Sequence, residues 1–411
     1  MLSVDDALHA VLERVTRSEP VVRPTGESLG LVLAEDVASD VDSPPHNKSL
    51  VDGYAVVAAD LADGTAEFVL LEEVAAGAVP TQNVTPGHAT RIMTGAPLPT
   101  GADAVAMIED SQVLDAASGP QRIRITAAKT SAGQNIMRRA ESMARGDTVL
   151  SAGATIRAIE LGLLAEVGRV EVSVFAPPSV AVLPTGNELV RPTDVPAAGR
   201  IRNSNGPMLV AAAQAAGAVA LDLGIATDDA DVLRTAVDHG LEHDVLVISG
   251  GVSAGLFDLV PGVLKEAGVA EVFHKINIKP GKPLWFGVRA GDERSTLVFG
   301  LPGNPVSSLV CFELFVRPAL ARLAGRTDGS LVELQAELSI GFSQRSDRPT
   351  YHPARLHAQD DGRATIEPLR WRGSADLRTL AEADALAYFP GGPRDFPACQ
   401  SVQVLRLPGG R

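Results

Sequence analysis

The chain has 411 residues, of which 45% are apolar and 21% are charged, and its formal net charge is −14. This length is typical of two to four globular domains. An acidic chain without a basic run is a poor candidate for binding nucleic acid. The 39 glycines and 28 prolines predict many turns between short elements.

The sequence also predicts a cytoplasmic protein that does not enter a membrane. Its start is acidic, with Asp5 and Asp6 where a signal peptide would be basic. No apolar run reaches the roughly 18 residues that a membrane span needs. Cys311 and Cys399 lie far apart, which suits a reducing compartment and provides no thiolate metal site.

The first 177 residues predict one N-terminal helix and then mainly β-structure. Ser3 with Asp6 is typical of a helix cap, so we expect a helix up to about Thr16. Arg122–Thr126 alternates between polar and apolar residues, as a half-buried strand does. Ala158–Glu166 predicts a second helix.

Residues 179–326 have the pattern of an α/β domain. Ser179–Leu183 and Asp244–Ser249 are apolar strand candidates, and predicted helices lie between them near residues 207–216 and 229–241. A continuous apolar strand favours a parallel sheet covered on both faces. The β-α-β-α order predicts a doubly wound fold. From Leu331 onwards, alternating apolar residues predict a small all-β domain.

The run Ser249–Gly255 follows the second apolar strand. Glycines at the carboxyl end of such a strand let backbone N–H groups approach a phosphate closely. A tight turn without a ligand is the alternative. The same run matches the nucleophile elbow of hydrolases, for which only His352 and His357 follow well after it, in the predicted β domain.

Three lysines within eight residues, Lys275, Lys279 and Lys282, predict an anion pocket in this acidic chain. In a strand, Lys275 and Lys279 would share one face. A solvated edge strand with protective lysines is the alternative.

The loop Gly300–Ser307 precedes a predicted long helix from about Val306 to Leu323. The first turn of that helix would present free N–H groups to an anion, although the loop could equally be a rigid chain reversal.

Three carboxylates near the same predicted edges, Glu188, Asp228 and Asp258, would suit magnesium bound with substrate phosphate oxygens. Helix capping competes with this interpretation for Asp228 and Asp229.

Together these motifs identify a family. The chain resembles the molybdopterin molybdenumtransferases, the MoeA and gephyrin E-domain family, along nearly its whole length. The segments that carry the resemblance are Ser49–Val56, Arg91–Pro97, Pro184–Leu189, Ser249–Gly255, Ile278–Pro283, Gly300–Ser307 and Arg348–His352.

The resemblance implies an α/β multidomain protein that forms an elongated homodimer. Its doubly wound, molybdopterin-binding-like domain would have β-rich flanking domains and a C-terminal small β-barrel. The implied reaction inserts molybdenum from molybdate into adenylyl-molybdopterin. The release of AMP in this reaction would depend on Mg²⁺. A molybdopterin adenylyltransferase would act upstream. We expect a discontinuous linker domain at 1–43 and 142–177, a β-rich inserted domain at 44–141, the α/β domain at 178–327 and the β domain at 328–411.

The resemblance also implies the site residues. Positions matching functional residues of the family are Asp52, Thr94, Glu188, Asp228, Asp258, Lys275 and Lys279, with Asp258 and Asp228 as the expected magnesium ligands. Molybdate contacts are expected from Lys282, Ser307, Arg348 and Ser374. The remaining substrate contacts are expected from Gly250, Gly251, Ser253, Gly255, Pro302, Gly303, Asn304 and Pro305.

The chain departs from the family pattern at five positions. The family usually has Asp where this chain has Asn47, Ser142, Asn187 and Asn203, and it has a polar residue where this chain has Leu256. Each of the first four changes removes a carboxylate and keeps a polar group.

These departures favour one alternative, a molybdopterin-binding or scaffold protein with weakened turnover. A nucleotide hydrolase of the competence-damage type, which shares the α/β domain, and a serine hydrolase are further alternatives. The Asp52 and Thr94 segments and the C-terminal domain argue against the nucleotide hydrolase.

Overall fold

The computed structural model describes residues 1–114, 119–127, 130–252, 259–291, 294–358 and 363–409. The chain forms two compact units. One comprises Met1–Ala34, Gly153–Arg157 and Glu171–Arg411, and the other Glu35–Ala152 and Ala158–Val170. Within the described residues, no helix is both long and apolar enough to cross a bilayer.

The N-terminal third is β-rich, as predicted. Its elements are α1 (Val4–Leu12), β1 (Pro20–Pro24), β2 (Val37–Ala38), β3 (Lys48–Ser49), β4 (Gly53–Val56), β5 (Thr65–Val74), β6 (His88–Ile92), β7 (Ala104–Met107), β8 (Ser111–Leu114), β9 (Arg122–Thr126), β10 (Ile136–Met137), β11 (Thr148–Leu150), α2 (Ala158–Glu166) and β12 (Glu171–Phe175). Short 3₁₀ helices cover Thr25–Glu27, Ala58–Leu61 and Ile108–Asp110.

The predicted cap of α1 is confirmed. The hydroxyl of Ser3 accepts the N–H of Asp6 at 3.1 Å. The helix ends at Leu12 rather than near Thr16, because the chain leaves it through a turn. In that turn the N–H of Val15 donates to the carbonyl of Leu12, and Val15 is buried in the core.

A six-stranded sheet dominates the second unit. Its strand order is β7-β4-β6-β5-β9-β8, antiparallel except for the β5–β6 pair. The alternation predicted for β9 is confirmed, since Ile123 and Ile125 are buried against Phe68 while their neighbours in the strand are exposed. The sheet also fixes the position of Asp52, which directly precedes β4.

The middle third contains a mixed sheet flanked by helices. Its elements are β13 (Ser179–Pro184), β14 (Leu189–Val190), β15 (Ile201–Arg202), α3 (Asn205–Ala215), β16 (Val219–Asp222), α4 (Ala230–Gly240), β17 (Val245–Ser249), α5 (Val260–Glu266), β18 (Val269–His274), β19 (Trp285–Arg289), β20 (Thr296–Leu301), α6 (Pro305–Cys311) and α7 (Arg317–Leu323).

The order of the large sheet is β16-β13-β17-β20-β19-β18. The first four strands are parallel, and β19 is antiparallel to both of its neighbours, β20 and β18. Alternate residues of β13 enter two cores, with Val182 packed on the α3 side and Leu183 on the α4 and α5 side. Both faces are therefore covered by helices, which confirms the predicted doubly wound α/β domain.

The long helix expected from Val306 to Leu323 is present, but its middle turn, Phe312–Val316, is a π-helix. This turn carries Glu313, whose buried carboxylate forms an ion pair with the guanidinium of Arg317. A π turn within an α-helix changes the register of the side chains that follow it.

The C-terminal part of the chain forms a barrel, as predicted. Its elements are β21 (Val332–Leu338), β22 (Phe342–Gln344), β23 (Thr350–Ala358), β24 (Ala364–Pro368), α8 (Leu377–Glu382), β25 (Ala385–Phe389), β26 (Arg394–Phe396) and β27 (Ser401–Arg406). The closed order is β21-β24-β23-β25-β27. Its interior is filled by apolar side chains such as Leu338, Ala354 and Val404.

Candidate functional site

The central parallel strands end level with one another. Pro184, Ser249 and Leu301, the last residues of β13, β17 and β20, are direct register partners across the sheet. The three loops that follow therefore meet at one edge, where α/β sheets usually bind ligands.

Asn205, at the start of α3, joins two of these loops. Its amide nitrogen donates 2.7 Å hydrogen bonds to the hydroxyl of Ser249 and the carbonyl of Gly303. Its own Oδ1 and the hydroxyl of Thr185 are buried and have no hydrogen-bond partner among the described residues. The sequence has no local signal for Asn205, because this residue acts through tertiary contacts.

The glycine loop after β17 needs glycine for conformational reasons. Gly250 and Gly251 have φ of 99° and 63°, and a Cβ on Gly250 would lie 2.5 Å from the carbonyl oxygen of Thr185. Anion binding by this loop stays a prediction. Ser253, Gly255 and Asp258, which we also expect to contribute, lie outside the described residues, as does Leu256.

A cavity of about 610 Å³ lies where the α/β domain meets the barrel, and we call it the anion cavity. Its volume is within the roughly 300–1,000 Å³ range of small-molecule sites. The lining comes from four chain segments: Lys279, Pro280, Gly281, Lys282 and Pro283; Pro302, Asn304 and Ser307; Arg348; and Trp371, Arg372, Gly373 and Ser374. The cavity thus brings together seven predicted site residues: Lys279, Lys282, Pro302, Asn304, Ser307, Arg348 and Ser374.

The charged residues that line the anion cavity are all cations among the described residues. Lys279, Lys282, Arg348 and Arg372 line it, and no carboxylate does so among the described residues. None of the four forms an ion pair within the part of the chain that the structure describes. The guanidinium of Arg348 donates one hydrogen bond to the carbonyl of Ile278, at 2.8 Å. Unpaired cations gathered in a concave site attract an anionic ligand.

Lys275 and Lys279 do not lie in a strand, so they share no strand face, and the edge-strand alternative is wrong. Residues 275–284 form an irregular connection in which Lys275 has a left-handed φ of 72° and Lys279 precedes a cis proline. The N–H of Lys279 donates to the carbonyl of Pro349 at 2.8 Å. The barrel therefore positions this segment, and Lys275 does not line the anion cavity.

A loop of the barrel lines one side of the cavity and is hydrogen-bonded to the start of α6. The amide nitrogen of Asn304 donates to the hydroxyl of Ser374 at 2.9 Å, and the N–H of Val306 donates to the carbonyl of Ser374 at 3.0 Å. Sequence reasoning missed Trp371 and Arg372 in this loop. Their only signal was an aromatic residue between two arginines, just before Gly373 and Ser374.

Gly303 and Pro305, also expected in the site, lie in the same loop as Asn304 but do not line the cavity. A Cβ on Gly303 would lie 3.7 Å from the Cα of Gly250. The glycine loop and the β20–α6 loop therefore pack against each other at the edge of the sheet.

The histidines that a serine hydrolase would require are engaged within the barrel. His352 is buried, and its Nε2 donates to the carbonyl of Leu369 at 2.8 Å. Burial lowers the pKa of His352 to about 4, and the charge of Lys279 adds to this effect. His357 pairs with Glu367 at 3.3 Å. Neither arrangement favours the hydrolase alternative.

Asp52 and Thr94 form a local pair in the second unit. One oxygen of Asp52 accepts both the backbone N–H of Thr94, at 2.7 Å, and its hydroxyl, at 2.8 Å. These two hydrogen bonds lower the pKa of Asp52 below its ordinary value, so this exposed carboxylate is ionised at neutral pH.

The expected carboxylates have different surroundings. Asp229, rather than Asp228, caps α4 by accepting the N–H groups of Asp231 and Val232. Asp228 instead forms two hydrogen bonds with Asn187, each 3.2 Å long. The N–H of Asn187 donates to the carboxylate of Asp228, and the N–H of Asp228 donates to Oδ1 of Asn187. Glu188 is exposed and folds over Gly186.

A magnesium ion bound by protein groups alone does not fit the described residues, among which no group of three or more possible ligands occurs. Magnesium usually keeps several waters and takes one or two carboxylates together with substrate phosphates. The exposed carboxylate of Asp228, at the edge of the sheet, fits that kind of site.

Two other amides that replace the family's usual Asp also accept backbone donors. Oδ1 of Asn47 accepts the N–H of Arg139 at 2.9 Å, and Oδ1 of Asn203 accepts the N–H of Gly206 at 3.0 Å. Since a carboxylate oxygen could accept the same bonds, these substitutions preserve local structure and change mainly charge. Ser142 contributes its backbone N–H to the carbonyl of Ser43.

Three family models match this chain in order. They describe the MoeA N-terminal region (domain I and II) at residues 2–168, a probable molybdopterin binding domain at residues 181–322 and the MoeA C-terminal region (domain IV) at residues 335–407.

Full-length relatives and solved structures agree with these matches. The chain is 33% identical to a protein named molybdopterin molybdenumtransferase from Bacillus subtilis, over 99% of this chain and 94% of that protein. A namesake from Staphylococcus aureus is also 33% identical, over 98% and 95%. A MoeA structure from Pyrococcus horikoshii has a TM-score of 0.82 and 31% identity, with 100% of both chains covered.

Proposed function

Because this chain belongs to the MoeA family, we propose that it is a molybdopterin molybdenumtransferase, which inserts molybdenum from molybdate into adenylyl-molybdopterin and releases AMP to form molybdenum cofactor. The relatives that match it over nearly their whole length carry the name of this activity. The observation in the molecule that supports it best is the anion cavity, with four cations and no lining carboxylate among the described residues.

The donor set of the anion cavity suits molybdate. This dianion can be held without a metal by Lys282, Arg348 and the hydroxyls of Ser307 and Ser374, because ammonium, guanidinium and hydroxyl groups all donate to oxyanion oxygens. Ser307 is 4% exposed and is the most buried of these four residues. Lys279 adds charge beside it.

The pterin nucleotide would occupy the neighbouring sheet edge, where the Gly250–Gly251 turn packs against Gly303. The backbone N–H groups of such a turn suit a phosphate. Asp52, Thr94, Glu188 and Lys275 complete the proposed functional set through the family pattern, and they do not line the anion cavity.

Magnesium would assist AMP release by neutralising phosphate charge, with Asp228 and Asp258 as its proposed ligands. Replacing Asp258 with Asn tests this, because Asn caps a helix nearly as well but binds magnesium poorly. We expect AMP release to fall about tenfold or more while the melting temperature stays constant. Normal turnover of Asp258→Asn across a magnesium titration would remove Asp258 from the site and leave Asp228.

The proposal includes a cytoplasmic homodimer that receives its substrate from a molybdopterin adenylyltransferase. Cys311 and Cys399, both free thiols, suit a reducing compartment. The family positions lie in both compact units, which suits a site completed by a second subunit. Sedimentation that finds only monomer at micromolar concentration would overturn the dimer.

Incubation of the protein with adenylyl-molybdopterin, molybdate and magnesium tests the main proposal. We expect AMP and active cofactor to appear together, and both to be lost when Lys279 and Lys282 are replaced. Binding of both substrates without AMP release would instead support the scaffold alternative. That alternative is favoured by one observation: Asn47, Asn187 and Asn203 keep their hydrogen bonds without the carboxylate charge.

A further inference from the structure

The anion cavity contains a cation that the proposed molybdate contacts leave unused. Arg372 lines the cavity and is exposed, and its guanidinium forms no ion pair within the described part of the chain. It comes from the barrel loop between β24 and α8, whereas Lys279 and Lys282 come from the connection between β18 and β19.

The backbone of Arg372 is fixed, whereas its exposed side chain forms no hydrogen bond or ion pair among the described residues. The carboxylate of Asp376 lies near enough to interact with its charge. The N–H of Arg372 donates to Oδ2 of Asp376 at 3.1 Å, and the same carboxylate caps α8 through the N–H of Thr379. Two residues further on, Ser374 is bonded to Asn304 and Val306. A long cationic side chain on a fixed loop loses less conformational freedom on binding than one on a flexible loop.

The size of the cavity indicates more than one small anion. One water molecule takes about 30 Å³ in the liquid, so the four oxygens of a tetrahedral oxyanion fill on the order of 120 Å³. The anion cavity measures about 610 Å³. Most of it would therefore remain empty around a single molybdate ion.

The charge of the cavity also indicates more than one bound anion. Molybdate carries two negative charges, and a phosphate monoester carries about 1.5 to 2 at neutral pH. Lys279, Lys282, Arg348 and Arg372 would together balance both groups. With molybdate alone, about half of the positive charge would stay uncompensated.

We propose that Arg372 forms a second anion subsite at the exposed mouth of the anion cavity, and that this subsite binds a phosphate group while molybdate occupies the buried end near Ser307. The identification of the inner anion as molybdate rests on the proposed function. The existence of two separate subsites rests on Arg372, on the cavity volume and on the charge.

Titration calorimetry with inorganic phosphate and with molybdate tests the proposal. Wild-type protein saturated with molybdate should still bind phosphate. The variant Arg372→Gln should bind phosphate about tenfold or more weakly, as expected when a charge-assisted hydrogen bond is lost, while its molybdate affinity stays within about twofold. Arg370→Gln is the matched control, because Arg370 is an exposed arginine two residues away that does not line the cavity. It should change neither affinity.

Three results would overturn the second subsite: no phosphate binding to molybdate-saturated wild type, equal weakening of both anions in Arg372→Gln, or an equal effect of Arg370→Gln. A fault in the proposed function would look different. If both anions bind as described but no AMP is released from adenylyl-molybdopterin, the second subsite stands and the transferase activity fails.

Discussion

Lys279 and Tyr351 are joined by a 2.8 Å hydrogen bond from the N–H of Tyr351 to the carbonyl of Lys279, which pairs the lysine segment with the first residues of β23. The N–H of Lys279 is held in turn by Pro349. Both backbone groups of Lys279 are therefore used, and Arg348 lies one residue before Pro349. This pairing brings a cation from the α/β domain and one from the barrel to the same cavity.

We expect Lys279→Ala and Lys282→Ala each to weaken molybdate binding by roughly 1.5–3 kcal/mol, the range for hydrogen bonds to charged groups. The loss should be larger for Lys279, because it is half-buried whereas Lys282 is exposed and better screened by solvent. Calorimetry at two salt concentrations measures both effects. Lys265→Ala, an exposed lysine on α5 away from the cavity, is the control. Unchanged binding in both variants would remove these lysines from the site.

Substitutions of Asp228 should affect AMP release, whereas substitutions of Asp229 should affect stability. Asp229→Ala removes the cap of α4 and should lower the free energy of unfolding by about 0.5–2 kcal/mol, whereas Asp229→Asn should be nearly neutral. Asp228→Asn should leave the melting temperature unchanged and reduce AMP release, since Asp228 does not cap the helix. A lower melting temperature in Asp228→Asn, with normal AMP release, would contradict this division.

Gly281, between Pro280 and Lys282, should not tolerate a side chain. Its φ is 112°, and a Cβ there would lie 2.5 Å from the sulfur of Cys311. We expect Gly281→Ala to destabilise the protein by more than the roughly 1 kcal/mol cost of its backbone conformation alone, and to weaken molybdate binding by displacing Lys282. Gly217→Ala is matched, with φ of 85° but no described atom within 4 Å of its Cβ. Equal unfolding free energies for the two variants would show that Cys311 adds no constraint.

His352 predicts a pH-dependent stability. Its pKa in the folded protein, about 4, lies below the ordinary value of 6.5 because of burial. Between these values the unfolded state binds more protons, so stability is present above pH 6.5 and is lost as the pH falls towards 4. One proton contributes a slope of at most about 1.4 kcal/mol per pH unit. Urea unfolding from pH 7.5 to 4.5 should show a shallower loss in His352→Gln than in wild type. Replacement of the exposed His46 by Gln should leave the wild-type slope intact.

Local patterns predicted those elements whose signals are local. The alternation of Arg122–Thr126 and the composition of Ala158–Glu166 match β9 and α2, because strand and helix periodicities are properties of short segments. Local patterns did not predict the structure of the lysine segment, residues 275–284. Spacing alone contains no information on the left-handed φ of Lys275 or on the pairing of Lys279 with residues 70 positions away.

The anion cavity could be predicted only in part, for a related reason. Lysines and loop glycines are conspicuous in sequence, and the family pattern adds Arg348 and Ser374. Arg372 and Asn205 are not conspicuous. The first faces the cavity because its loop is bonded to Val306 and Asn304, and the second acts through partners 44 and 98 residues away.

The four segments that line the anion cavity span residues 279 to 374, and two of them belong to the barrel. An oxyanion bound between Lys282 and Arg348 would link the barrel to the α/β domain. A ligand at one hundred times its dissociation constant stabilises the state that binds it by about 2.7 kcal/mol. The survival of this protein against proteases should therefore rise with the supply of oxyanion, and starvation for molybdate would shorten the lifetime of the protein that uses it.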